Sequence, residues 1–414
     1  RGKIAKSMDV EYNNVANAIV NSAQEGFMFN DGSALAKLFV FDEQTLSMLS
    51  AKLSNIVDFD AYTVLISDVV FSQFTSTYLS YVRDIRSMQE DERHKRLCRL
   101  AEVFSALMVT SQGPWLIPVM RPLALALSSS AQMAFNATQD SAMFAQAASV
   151  LLRLLIDLLS DSSTPLEESK RMGSMFVAGL LLRISLRTSA APGAYASKAL
   201  EVKSFSSSNT FSQRDRVSYN YWLGRYYLTC YYVDKARTHL EYAFVNCPAW
   251  HYHNKRAILR HLFVASLIRG LLPTEQVLEQ YEMEPVYSQL ILHFSKGNIA
   301  GFQRTLVDNV DFFRSQGNYL ILMERTEIPM YRNLLRRVSL INAGSERSRM
   351  IPYSDILTAF RVSTQNYDMD DVEMESVLAS LLSQKFVLGY AFHHQRILNL
   401  SKKLSPFPSI ASVN

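Results

Sequence analysis

Apolar residues recur at helical spacing along most of the chain. Between Ala34 and about Val109 the series Leu46, Leu49, Leu53 and Ile56, then Val64, Val69, Val70 and Phe74, then Leu97, Leu100, Phe104 and Leu107 predicts one amphipathic helix after another. Gly113-Pro114 and the stretch from Pro118 to Pro122 break that pattern, which resumes from Ala131 to Leu159 and stops at Asp161-Ser-Ser-Thr-Pro165. Ser163 or Thr164 is suited to cap a further helix that opens at Pro165 and runs to about Leu186. From Thr188 to Phe211 the chain gathers Ser, Thr, Ala, Pro, Gly and Asn, the composition of a long connection or mobile loop. Residues 1–187 therefore read as an N-terminal helical-repeat region, and 188–215 as a linker.

Residues 216–340 carry a sharper pattern. Leu223-Gly224, Tyr227, Ala236, Leu240, Ala243 and Pro248 follow tetratricopeptide spacing, with Asn220 where the repeat has its first large residue. Small Gly224 and Ala236 let two helices approach, Leu223, Tyr227 and Leu240 fill the gap, and Pro248 ends the second helix. One such hairpin cannot bury its own apolar face. Neighbouring helices over 254–269, 274–281, 285–296, 299–309 and 325–340 are expected to stack beside it as a solenoid.

Over 341–408 the pattern changes. Ser354 is placed to cap a short helix, and Asp370 and Asp371 precede a stronger one through Val372, Val377, Leu378, Leu381 and Leu382. The period then becomes two: Phe386, Leu388, Tyr390 and Phe392 share one face, Ile397, Leu398 and Leu400 follow, and His393-His394-Gln395 forms a polar tip between them. Helices followed by a β-hairpin are the winged-helix arrangement. Residues 409–414 are left as a tail, so the fold class is mainly α, a TPR-like solenoid ending in a winged helix.

Composition narrows the class further. Gly and Pro total only 26 of 414 residues, apolar residues reach 48%, and 46 aromatics are spread along the chain, so a filled core is expected and extensive disorder is excluded. A net charge of +4 is too small for a protein coated in positive charge, which confines any nucleic-acid contact to a region. Three widely spaced cysteines fit a reducing compartment. The uncharged stretches 103–120 and 122–139 are interrupted by polar residues, so no membrane insertion is expected.

The usual enzyme signatures are absent: no G-x-G-x-x-G, phosphate-binding loop, G-x-S-x-G or H-E-x-x-H occurs, and no catalytic residue, cofactor or metal site is expected. Cys247, His251 and His253 lie within a short span, but Pro248 explains that segment as a turn and no fourth zinc ligand is indicated. Asp368, Asp370, Asp371, Glu373 and Glu375 lack the Gly and register of a calcium loop and suit a helix N-terminus. Tyr219, Tyr221, Trp222, Tyr226, Tyr227, Tyr231 and Tyr232 fall at helical spacing, as packing between helices requires. Lys255, Arg256 and Arg260 read as a solvated face or as ion-pair partners.

Basic residues near the winged helix weigh differently, because they fall on exposed backbone. Arg347 and Arg349 sit in a Gly-Ser loop, Arg396 adjoins the hairpin tip, and Lys402-Lys403 follow the last strand. His393 and His394 at the tip can add charge under acidic conditions. Five of the seven acids beyond residue 331 fall between Asp368 and Glu375, which is expected to leave the wing side positive. These seven basic positions are the candidate nucleic-acid contacts, directed at phosphate and therefore poorly sequence-specific. Phe386, Leu388 and Tyr390, with an open strand edge, are the candidate partner interface.

A helical array running into a winged helix resembles the PCI domain. Leu200-Glu-Val-Lys-Ser-Phe205, Asn254-Lys-Arg256, Gly270-Leu-Leu-Pro273, Gly297-Asn298, Phe312-Phe313 with Gly317, Tyr331-Arg-Asn-Leu334 with Arg337-Val338, and Ser401-Lys-Lys403 followed by Pro406-Phe-Pro408 are similar to the small PCI subunit of the transcription-coupled mRNA export complex. A signalosome-associated PCI protein of the same subfamily shares much of that ending. The resemblance implies a non-catalytic scaffold subunit in the nucleus, at the nuclear envelope or pore. It implies pairing with a larger PCI scaffold, a small acidic peptide that braces the pair, and a basic winged-helix surface for RNA or DNA. The competing readings are a signalosome-type subunit acting only in protein assembly, and an enzyme without a familiar motif.

Overall fold

The computed structural model describes residues 2–161, 164–188, 191–202, 210–342, 349–402 and 405–413, the side chains of 2–14, 191 and 202 excepted. The chain divides into two compact units, Arg1–Tyr226 and Tyr227–Asn414.

The first unit is an array of helices, the main ones Gly2–Met28, Glu43–Leu53, Val69–Asp84, Glu90–Thr110, Ile117–Thr138, Ala142–Leu159 and Ser174–Ser185. Carboxylates start several of them: Asp42 accepts from the Thr45 amide and Asp68 from the Phe71 amide, which satisfies donors that a helix start leaves open. Phe39, Phe71, Phe74, Tyr78 and Phe104 form a fully buried aromatic cluster, with Phe39 edge-on to Phe74 and Tyr78 at 5.0 Å. The apolar series placed Val64 and Val69 with this group, yet both are exposed. Burial of such a side chain is worth about 1.5–3 kcal/mol, and these two contribute little of it.

Proline reads differently in the fold than in the sequence. Pro118 and Pro122 do not break the chain, since the helix opens at Ile117, takes Pro118 in its first turn and carries Pro122 inside. Pro165 opens two short 3-10 turns, Leu166–Glu168 and Lys170–Gly173, and the α-helix begins only at Ser174. Within the expected linker, Ala191–Val202 is helical, with Ala196 and Leu200 fully buried. The Ala142–Leu159 helix is long and apolar enough to cross a membrane even though it contains Arg153 and Asp157. Its buried residues, among them Ala147, Leu151, Leu154 and Leu158, make it a core helix here. In the same unit Arg121 grips the nearly buried Asp215 with two hydrogen bonds of 3.0 and 2.5 Å. Removing one member of such a pair costs about 3–5 kcal/mol.

The second unit begins in the repeat hairpin. The helices Gln213–Thr229 and Val233–Asn246 turn through Tyr231 in the left-handed region, and Ala236, Leu240 and Ala243 are fully buried. Tyr252–Ile268, Val286–Lys296, Ile299–Asp308 and Tyr319–Ile341 follow close to expectation, the last starting earlier and containing Pro329. Gly297, at φ +66, closes its helix where a Cβ would lie 2.7 Å from the Leu334 backbone nitrogen. After the last of these helices come a short strand β1 (Met350–Pro352), the helices Tyr353–Thr364 and Asp371–Ser383, then β2 (Gly389–Phe392) and β3 (Ile397–Leu400).

Candidate functional site

The three strands form one antiparallel sheet in the order β1-β3-β2. Met350 and Tyr390 both face Asn399, while Pro352 and Phe392 both face Ile397. Alternation then sorts the residues: Ile351, Leu398 and Leu400 are buried on the inner face, whereas Met350, Tyr390 and Phe392 stand exposed on the outer one. Gly389 is required where β2 begins, because a Cβ there would sit 2.4 Å from the Asn399 carbonyl oxygen. Strand β1 was not legible in the sequence, being three residues long and ending in proline.

Of the candidate basic residues, Arg347 and Lys403 lie outside the described residues. Arg349 and Lys402 come together at one end of the sheet: the Arg349 carbonyl accepts from the Leu400 amide at 2.8 Å, and its guanidinium donates to the Ser401 carbonyl at 3.0 Å. Arg396 lies at the opposite end of β3, roughly 13 Å along the strand from Leu400, which Arg349 faces. The expected single basic surface is therefore divided between two ends.

The tip is also charge-compensated. Arg396 is ion-paired with Asp371, which keeps its guanidinium pKa above the ordinary value, and His393 Nδ1 lies 2.6 Å from Glu375 Oε1. Sequence distance hid this, since both acids belong to a stretch assigned to helix capping. Asp370 does cap, accepting from the Glu373 amide; Asp371 and Glu375 instead face the wing. Ser354 does not cap its helix, whose N-cap is Pro352. His394 is exposed at the tip beside His393.

The expected partner face also splits. Lys385 is left-handed (φ +63) and Val387 is buried, so the period-two pattern starts only at Gly389. Phe386 and Leu388 are half-buried against their own unit, Leu388 donating its amide to the Pro406 carbonyl at 2.8 Å. Tyr390 alone of the three is open, 75% exposed. Phe386 instead lines a cleft of about 540 Å³ with Tyr231, Tyr232, Arg269, Arg325 and Ile410.

Two arginines that sequence reasoning did not single out hold the end of the chain. Buried Arg332 donates to the carbonyls of Phe407 and Pro408 at 2.9 and 2.6 Å, and Arg269 donates to those of Ala411 and Val413 at 2.6 and 2.5 Å. Ile410 and Val413 are buried, so the expected tail is a packed segment. Burial lowers the Arg332 pKa. The Pro406-Phe-Pro408 motif was the available signal, because a proline-bounded aromatic favours a fixed extended path over a loose end.

The remaining candidates resolve into packing. Tyr219, Tyr226 and Tyr227 are buried, while Tyr231 and Tyr232 are exposed at the cleft. Lys255 donates to the Phe244 carbonyl and Arg256 pairs with Glu282. Cys247 is buried with His251 and His253 exposed, and among the described residues no group of three His, Cys, Asp or Glu side chains is placed to hold a metal ion.

Stacked helices leading into a winged helix with a three-stranded sheet define the class of helical-repeat proteins that end in a winged helix. The PCI domain model matches residues 306–402, the span that ends just beyond β3. Over 349 residues the chain is 29% identical to a PCI domain-containing protein of Schizosaccharomyces pombe, covering 80% of this chain and 78% of that one. It is 28% identical over 321 residues to PCI domain-containing protein 2 of Danio rerio, with 75% and 77% covered. With the PCI domain-containing protein 2 homolog of Caenorhabditis elegans it shares 34% identity over 205 residues, 49% of this chain and 48% of that protein. The chain carries a PCI domain at residues 306–402 and is similar over most of its length to proteins of the PCI domain-containing protein 2 type.

Proposed function

We propose that this chain is a non-catalytic scaffold subunit that pairs through its winged helix with a larger PCI scaffold, is braced by a small acidic peptide, and contributes a nucleic-acid-binding surface that couples transcription to mRNA export. It works in the nucleus, at the nuclear envelope or pore. The observation that carries this reading is the sheet end where Arg349 and Lys402 meet, next to the open edge of β2. Exposed cations on main chain supply phosphate contacts, and an open edge supplies backbone groups for a second winged helix.

A second reading, protein assembly only as in a signalosome-type subunit, draws on the pairing of Arg396 with Asp371, which neutralises the arginine of the tip, and on Glu375, which brings an acid against His393. Affinity purification of the full chain followed by mass spectrometry separates the two. Recovery of an mRNA-export scaffold with nuclear-pore proteins supports the first; recovery of signalosome subunits with no export factor overturns it.

A further inference from the structure

The helix Asp371–Ser383 occupies the position from which a winged helix reads the duplex major groove. It carries Asp371, Glu373 and Glu375 and no Lys or Arg. Such a face repels phosphate, and Asp371 and Glu375 also engage the tip. Duplex insertion through this helix is electrostatically opposed.

The outer sheet face has the opposite character. Tyr390 and Phe392 are 75% and 42% exposed, point to the same side, and stand roughly 7 Å apart along β2. Met350, itself 40% exposed, lies on that face across β3. No acid lies on the three strands. Tyr390 is one residue pair in from the end where Arg349 and Lys402 meet, so cations, first ring and second ring follow one another along the sheet. Flat exposed rings beside backbone-directed cations are the chemistry that recognises unpaired bases, because every base has a π-face and every nucleotide a phosphate.

We propose that the outer sheet face is a stacking platform for single-stranded nucleic acid, with bases on Tyr390 and Phe392 and phosphates drawn to Arg349 and Lys402. This rests on the nucleic-acid-binding reading above and specifies its ligand: a single strand, held without base-edge readout. The apolar face is thereby assigned to the bases of a strand whose phosphate backbone reaches the cations at one end of the sheet.

The test uses the full chain with fluorescent oligouridylate and oligothymidylate of about 16 nucleotides, and a duplex of equal length, at two salt concentrations. Tyr390→Ala with Phe392→Ala should weaken single-strand binding tenfold or more, as loss of stacking does, while leaving the salt slope and the thermal midpoint unchanged. Tyr390→Trp with Phe392→Tyr should restore affinity. Arg349→Gln with Lys402→Gln should instead flatten the slope by about one unit per contact. If the alanine pair binds like wild type while the glutamine pair is weakened, the platform is wrong and nucleic-acid binding stands. If neither pair changes affinity, both fall. Tighter binding of duplex than of either single strand, or loss of co-purifying proteins without loss of RNA affinity in the alanine pair, also overturns the platform.

Discussion

Arg396, at the tip of the β2–β3 turn, is ion-paired with Asp371 in the first turn of the helix behind it. The pair holds a cation that would otherwise face solvent against an acidic helix start. Asp371→Asn should release it while Asp370 keeps the cap. The expected result is higher affinity for RNA and a salt slope steeper by about one unit. Wild-type affinity and slope in this variant would show that the tip takes no phosphate.

Arg332 is buried with two carbonyl partners from the end of the chain. Arg332→Leu should destabilise the protein by about 2–4 kcal/mol, because charge-assisted hydrogen bonds are lost and two carbonyls are left unpaired. Urea unfolding measures the loss. Carboxypeptidase digestion should trim the variant from the C-terminal side faster than wild type, and equal trimming would count against the clamp.

His94 is buried between the Ser130 hydroxyl (2.8 Å) and the Met143 carbonyl (3.0 Å), with Cys98 Sγ at 3.5 Å. Burial holds its pKa below the ordinary 6.5, although the Met143 bond opposes the shift. The unfolded chain therefore takes up the proton first as pH falls. The contribution is fully present above about pH 6.5 and is lost as pH drops below it, with a slope of at most about 1.4 kcal/mol per pH unit. Chemical denaturation from about pH 7.5 to 5.5 should show a steeper loss for wild type than for His94→Gln. Parallel curves would remove His94 as the source.

Gly389→Ala places a methyl group 2.4 Å from the Asn399 oxygen and 3.1 Å from the Leu400 Cα. The β2–β3 ladder must open to admit it. Faster amide exchange is expected at Asn399 and Ser401, whose amides face β2, Ser401 donating to the Leu388 carbonyl, while exchange in the Ala142–Leu159 helix stays as in wild type. Unchanged exchange in the strands would mean that the ladder accommodates the methyl.

Much of this architecture was legible because helical spacing and the repeat pattern are local. Leu223, Ala236, Leu240 and Ala243 declare a helical hairpin within one short span, and all four are fully buried. Spacing gives a helix but does not say which flank of it faces in, and so Val64 and Val69 were grouped with Phe74. Proline is a weaker breaker here than its sequence context suggests: Pro118 sits where a helix start has spare amides, and Pro122 lies inside a helix anchored by buried Met120 and Leu123. The wing was half-legible. Alternation identified Tyr390 and Phe392 correctly as neighbours on one face, but the left-handed Lys385 shifts where that alternation begins. The pairing of Asp371 with Arg396 joins residues that no spacing rule connects, and it moves the positive charge of the wing to the other end of the sheet.

Arg332 and Arg269 close on main-chain oxygens, which every residue carries. The grip therefore recognises the course of the backbone rather than the identity of Ala411 or Pro408, and residues there can drift in evolution while the route is kept. Shortening the chain is another matter. A version ending before Pro406 would strand a buried guanidinium at Arg332 and strip the cover from Gly270, where Ile410 now fits closely. A deletion of this kind would report on the health of the whole second unit, not on the segment removed.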